Sequence, residues 1–203
     1  MSDRPQPISP FDPAHPSEVG AFVSDQILGL VTTSGPPAHV TPLPLLAQLD
    51  AEGGVAEFFG HFGRSNPQIE ALQADPRALV IFMGPHAYVP TAWVSPTGWA
   101  PTWNYALAYF EVEVRFDAGE NDRALAELVE TMEQGRWTPD RMGARYEPLA
   151  QRILAFRARV IRQVGKFKLG QDETPETFEK ILQRLSPSPL AQLMRQTREG
   201  SDT

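Results

Sequence analysis

The chain has 203 residues, 41% of them hydrophobic, and a formal net charge of −7. A domain of this length buries roughly 70% of the surface its unfolded chain exposes and needs no covalent staples. It contains no cysteine, which excludes disulfides, thiolate catalysis and Cys-ligated zinc or iron–sulfur centres, and its acidic balance argues against a nucleic-acid binder that uses its whole surface. The first residues, MSDRPQPISP, are polar and lack the apolar core of a secretion signal. No run reaches the roughly 20 apolar residues of a membrane span. A cytoplasmic protein is the expectation.

In chain order, residues 16–26 (PSEVGAFVSDQ) read as a first helix with Pro16 in its first turn. LGLVTT (28–33) and HVTPLPLLAQL (39–49) read as two strands. Pro42 and Pro44 restrict the second to an edge or a bulge, because proline has no N–H for a ladder. VAEFFGHF (55–62) is a third strand, and Asn66-Pro67 opens a short helix, QIEALQA, with Asn as cap and Pro at the first helical position. RALVIFMG (77–84) is continuously apolar and reads as a strand buried on both faces. Phe110, Val112, Val114 and Phe116 alternate with Glu111, Glu113 and Arg115, which marks a half-buried strand. NDRALAELVETMEQ (121–134) is helical, with Leu125, Leu128, Val129 and Met132 on one face. RILAFRARVIRQVGKFKL (152–169) is a long strand and PETFEKILQRL (175–185) a closing helix. Residues 1–185 read as one domain, and the tail from 186 to 203 as peripheral. Six or seven strands joined by short connections, with three or four helices, make an α+β fold that is mainly β: an antiparallel barrel with peripheral helices.

Three segments could carry chemistry. From Gly84 to Tyr105 the chain reads GPHAYVPTAWVSPTGWAPTWNY, which holds three of the four tryptophans. Such a ring- and proline-rich stretch walls a pocket for a flat ligand or closes a barrel as an aromatic hairpin. His86 and Tyr88 are its candidates for proton transfer. Asn104 could bond a heterocycle edge and Trp103 could stack on one. In FFGHFGRSNPQIEAL (58–72) a strand turns sharply into a helix. Arg64, Ser65 and Asn66 there suit an anion, and equally suit a plain capped helix beside an exposed arginine. In GKFKLGQ (165–171), Lys166 and Lys168 share a face that could meet a phosphate or a partner. The run from Arg152 to Lys168 is strongly basic and reads either as a solvated face or as a local nucleic-acid surface. The four histidines, His15, His39, His61 and His86, show no metal-ligand spacing, and no metal is expected.

Taken in order, LGLVTT…HVTPLPLL, GHFGRSNPQ, GPHAYVPTAW…PTWNY and GKFKLGQ resemble the PaiB family of FMN-binding negative transcriptional regulators. The resemblance spans residues 10–185. It implies the FMN-binding split β-barrel fold, FMN as cofactor and a homodimer with the flavin at the subunit interface. It further implies that His61, Arg64, Ser65 and Asn66 hold the FMN phosphate. Thr32, Thr33, His39 and Thr41 would approach the ring and ribityl chain, Trp103, Asn104 and Tyr105 would face the isoalloxazine from the partner, and Lys166, Lys168 and Gln171 would close the site. The sequence departs from the family pattern at Trp93-Val94, where a Trp-Tyr pair is usual. It departs again after Leu169, where Gly170, Gln171, Asp172 and Glu173 replace a Ser-Gln-Asn-Arg run, and acids beside a phosphate weaken its binding. Two functions follow: a PaiB-type regulator with flavin-dependent redox capacity, or an FMN-dependent oxidoreductase acting on a small molecule without touching DNA. Direct operator binding is not expected, because no helix-turn-helix is present and the net charge has the wrong sign.

Overall fold

A computed structural model of the chain describes residues 9–94 and 98–201. The N-terminal octapeptide, residues 95–97 of the aromatic stretch and the last two residues lie outside it. The elements are α1 (Pro16–Gln26), β1 (Leu28–Thr33), β2 (His39–Leu49), β3 (Val55–Gly63), α2 (Gln68–Ala74), β4 (Arg77–Val89), β5 (Thr102–Phe116), α3 (Asn121–Glu133), α4 (Tyr146–Ala150), β6 (Ile153–Lys168), α5 (Pro175–Leu185) and α6 (Pro189–Ser201), with short 3₁₀ turns between some of them. The strands close into a barrel in the order β1-β2-β3-β6-β5-β4, and the β1–β2, β1–β4, β2–β3 and β3–β6 pairs are antiparallel. The antiparallel barrel expected from the sequence is therefore the fold. The helices outnumber the three or four expected, because α4 and α6 are short or polar enough to read as loop and tail.

The chain divides into two compact units. The larger comprises His15–Phe82 and Tyr109–Val164; the smaller comprises Met1–Ala14, Met83–Ala108 and Gly165–Thr203.

In the larger unit the strand period of two sorts side chains into an inner and an outer set. Phe58, Phe62, Phe82, Phe110 and Phe156 are fully buried. Phe58 meets Phe110 edge to face at 4.8 Å and Phe82 at 5.5 Å, and Phe62 lies 5.0 Å from Phe156. Such ring pairs add about 0.5–1.5 kcal/mol each beyond their burial. The apolar run at 77–84 departs from its expected burial on two faces: Val80 and Phe82 are inside, whereas Leu79 and Ile81 are only half-buried. A barrel has a single interior, so an uninterrupted apolar strand must leave alternate residues outside. The prolines of β2 obey the edge rule locally. Leu45 donates to the Ile27 carbonyl, so residues out of phase with it, Pro42 and Pro44, turn their ring nitrogens away from β1. Pairing with β3 begins only at Leu45.

Helix α3 rotates its stripe away from the expectation. Ala124 is its buried residue; Leu125, Leu128 and Val129 are half-buried, and Met132 is exposed. The helix docks through small residues, with Ala124 and Ala155 clustered on Phe59. The guanidiniums of Arg157 and Arg123 lie 4.5 and 5.4 Å from that ring's centroid. Arg157 bonds Glu57 at 2.7 Å and Glu120 through two contacts, also at 2.7 Å. These carboxylates hold its proton even more firmly than usual, and in return Arg157 lowers the Glu120 pKa.

In the smaller unit, α5 and α6 bury Phe178, Ile181, Leu182, Leu190, Ala191 and Met194. The tail expected to be peripheral is thus, over α6, part of a core. Its sequence is polar overall, and only the spacing of Leu190, Ala191 and Met194 gives it a buried stripe. The segment before α1 is held to the end of β6 by the Phe167 N–H, which donates to the Phe11 carbonyl at 2.7 Å.

Gly29 marks the tightest point of the larger unit's packing: a Cβ there would stand 2.9 Å from the Phe82 ring and 3.0 Å from Leu45 Cδ1. Gly29→Ala is expected to destabilise the protein by about 1–3 kcal/mol through overpacking, read as a fall in the urea midpoint at unchanged slope.

Candidate functional site

The corner between β3 and α2 is built by side chains that satisfy backbone groups. Asn66 Oδ1 accepts the Gln68 N–H at 2.9 Å, and Pro67 already has helical φ and ψ, so the Asn-Pro start is formed as the sequence implies. Asn66 Nδ2 donates to Thr41 Oγ1 at 3.0 Å, Thr41 donates to Gln68 Oε1 at 2.6 Å, and Gln68 Nε2 donates to the Val31 carbonyl at 3.1 Å. The carboxamide of Asn66, assigned to a phosphate by the resemblance, therefore faces β2. Arg64 and Ser65 are exposed. Arg64 Nε is bonded to the Gln151 carbonyl at 3.0 Å.

Two buried side-chain atoms among the described residues have no hydrogen-bond partner: Thr33 Oγ1 and His61 Nδ1. An unpaired buried polar atom costs about 1–3 kcal/mol, so such atoms mark places where a ligand can restore a bond. Burial lowers the His61 pKa below its ordinary 6.5, so its ring is held neutral. Thr33, Thr32 and His39 line a groove of about 630 Å³ with Arg77, Glu111 and Glu113. Both orphan atoms sit on residues that the sequence assigns to the cofactor.

In the smaller unit, Trp103 is exposed and lies 5.8 Å from the Tyr88 ring and 6.1 Å from that of His86. The three rings form an aromatic patch on alternate outward positions of β4 and β5, with Tyr105 half-buried on the same phase. Asn104 is on the opposite phase: it is 1% exposed, and its Nδ2 faces the Met194 sulfur at 3.8 Å. The strand's period of two puts Asn104 and Trp103 on opposite faces, and α6 covers the Asn104 face through Met194. Lys166 is paired with Asp12, and Lys168 donates to Thr102 and lies 5.5 Å from the Phe11 ring centroid. Gln171 closes its own turn, accepting from the Leu169 N–H and donating to the Phe167 carbonyl. Glu173, an acid adverse to a phosphate, accepts the Trp99 indole N–H at 2.9 and 3.0 Å.

Sequence reasoning missed Gln68 and Glu173. Gln68 looks like an ordinary helical glutamine, and only its complete burial reveals its role. Glu173 could be found from no local pattern, because its partner lies 74 residues away.

The fold is a closed six-stranded antiparallel barrel that carries the unpaired buried atoms of Thr33 and His61 on its strands. Residues 8–162 match the model of the family described as "Putative FMN-binding domain", and the chain belongs to that family, whose cofactor is FMN. It is 28% identical over 182 residues to the protease synthase and sporulation protein PAI 2 of Bacillus subtilis (strain 168), covering 86% of each chain. Among solved structures it resembles the FAD and heme binding protein from Mycobacterium smegmatis, with a TM-score of 0.62 and 14% identity over 83% of this chain and 79% of that one. It also resembles the flavocytochrome Anf3 from Azotobacter vinelandii, with a TM-score of 0.58 and 14% identity over 84% of this chain and 73% of that one. These likenesses establish the fold. The PaiB-type resemblance and the FMN cofactor drawn from the sequence motifs are both borne out. Thr33 and His61 fit such a group, since each offers a buried polar atom that lacks a partner.

The depressed His61 pKa has a sign. Between its folded value and 6.5 the unfolded chain binds the extra proton, so stability rises with pH in that window. The contribution is fully present above 6.5 and is lost as pH falls. His61→Gln should show a smaller drop in urea midpoint than the parent between pH 7.5 and 5.5; an identical drop would show that His61 is not the titrating group.

Proposed function

We propose that this is a PaiB-type FMN protein that works as a homodimer and affects transcription through flavin-linked chemistry or contact with another protein, without gripping DNA itself. The observation that carries the flavin reading is the coincidence of the orphan Thr33 and His61 atoms with residues assigned to FMN on independent grounds. Bound FMN supplies electron or hydride transfer. The protein's part is to orient it. Arg64 and Ser65 are the exposed groups suited to a phosphate charge, and Thr32, Thr33 and His39 in the groove suit the ring and ribityl hydroxyls. The neutral His61 ring offers either a donor or an acceptor at Nδ1, according to its tautomer.

An apolar outer surface supports the dimer. Leu28 and Val40 are 61% and 62% exposed, and Leu30 is 38% exposed. The register sets Leu28 opposite Pro44, Leu30 opposite Pro42 and Thr32 opposite Val40, so these residues share one face of the β1–β2 ladder. A contiguous apolar face of this kind suits a second protein surface better than water. The basic strand favours indirect regulation. Arg157, Arg159 and Arg162 are all paired with glutamates, which removes much of the positive field a phosphate backbone requires.

Titration with FMN followed by flavin fluorescence tests the reading, and no binding at high micromolar FMN would sink it. Arg64→Ala should weaken FMN by about 1.5–3 kcal/mol if the guanidinium meets the phosphate; unchanged affinity removes that role. Val40→Asp should shift the sedimentation coefficient from dimer to monomer, whereas a parent that already sediments as a monomer contradicts the dimer.

A further inference from the structure

The polar chain at the start of α2 fixes the direction of its own protons. The Val31 carbonyl can only accept, so the carboxamide nitrogen of the fully buried Gln68 lies on it and Oε1 faces Thr41. Thr41 has one hydroxyl proton and commits it there. From the other side, the backbone N–H of Gln68 can only donate, so Asn66 presents Oδ1 to it and Nδ2 to Thr41. One lone pair on Thr41 and one N–H on Asn66 are left over. Both residues are half-buried. Val31 pairs with Thr41, which makes Thr33 a diagonal neighbour of Thr41 on the same strand face, roughly 7–8 Å away. Thr33 is 8% exposed, and its hydroxyl is unpartnered.

We infer that Asn66 and Thr41 form a donor–acceptor pair whose sense Gln68 sets, and that this pair reads an imide edge, a ring N–H flanked by carbonyls. The ring N–H donates to Thr41, and one carbonyl accepts from Asn66 Nδ2. The free Thr33 hydroxyl is available to donate to the second carbonyl. A ligand that places an acceptor against Thr41 meets a hydroxyl with no proton to give, and that mismatch leaves polar groups unpaired. The isoalloxazine ring carries an imide edge at N3, between its C2 and C4 carbonyls. The inference rests on the FMN reading above and names the part of the ring that this corner recognises. Gln68 touches no ligand; it is a positioning residue that acts through Thr41.

The test compares FMN with 3-methyl-FMN, in which the N3 proton is replaced, by fluorescence titration of the full chain. The parent should bind FMN at least tenfold more tightly, and in Thr41→Val and Gln68→Leu the ratio should fall towards one. If Gln68→Leu is unfolded by circular dichroism, the parent and Thr41→Val decide. Equal affinities for the two flavins in the parent, or a ratio that persists in Thr41→Val, overturn the inference and leave FMN binding intact. Failure of the parent to bind either flavin overturns the FMN reading and this inference with it.

Discussion

A six-stranded barrel has one interior, and each strand can fill it only with alternate residues. In this chain phenylalanines meet that demand. Phe58 touches both Phe82 and Phe110, rings contributed by β4 and β5. Large rings need small neighbours, which is why Gly29 faces Phe82 and Leu45 across a gap that admits no methyl group. The same constraint sends the other half of every strand outwards. The exposed Leu28, Leu30 and Val40 follow from it, as do the charged positions of β5 and β6.

The outward residues are divided by chemistry. On β6 and its surroundings, arginines and glutamates neutralise one another, and Arg157 is the most enclosed of them, lying on Phe59 between two carboxylates. Its side chain is 14% exposed, so its ion pairs are desolvated enough to hold geometry, whereas the Arg159 and Arg162 pairs are wet and contribute little to stability. A run that looks basic in one dimension is close to neutral in three. On β1 and β2 the outward residues are apolar instead. The two surfaces therefore suit different neighbours: water for the first, protein for the second.

Stability and recognition meet at α2. The helix is anchored by a chain of hydrogen bonds that begins at Asn66 and ends on the Val31 carbonyl. This network secures the helix to β1 and β2 and also decides which hydrogen-bonding capacity Thr41 and Asn66 retain. Thr33 and His61 stand outside any such network, and theirs are the two buried side-chain atoms without a partner among the described residues. A fold tolerates such groups when a ligand completes them.

The order of elements, the helix start at Asn66-Pro67 and the strand alternation of β5 were legible in the sequence, because each depends on contacts within a few residues. So was the family, since four short motifs kept their order. The neighbours of a side chain were not legible. Trp103 and Asn104 are adjacent in the chain, yet one is exposed and the other lies against Met194. Gln171, Lys166 and Lys168, which the resemblance places at the closing edge of the site, bond turn backbone, Asp12 and Thr102 respectively. The sequence by itself determined the barrel and its cofactor family, because periodicity and motif order are one-dimensional. Only the tertiary structure decided which polar atoms are already paired and which are left for a ligand, because hydrogen bonds are settled by distance in space.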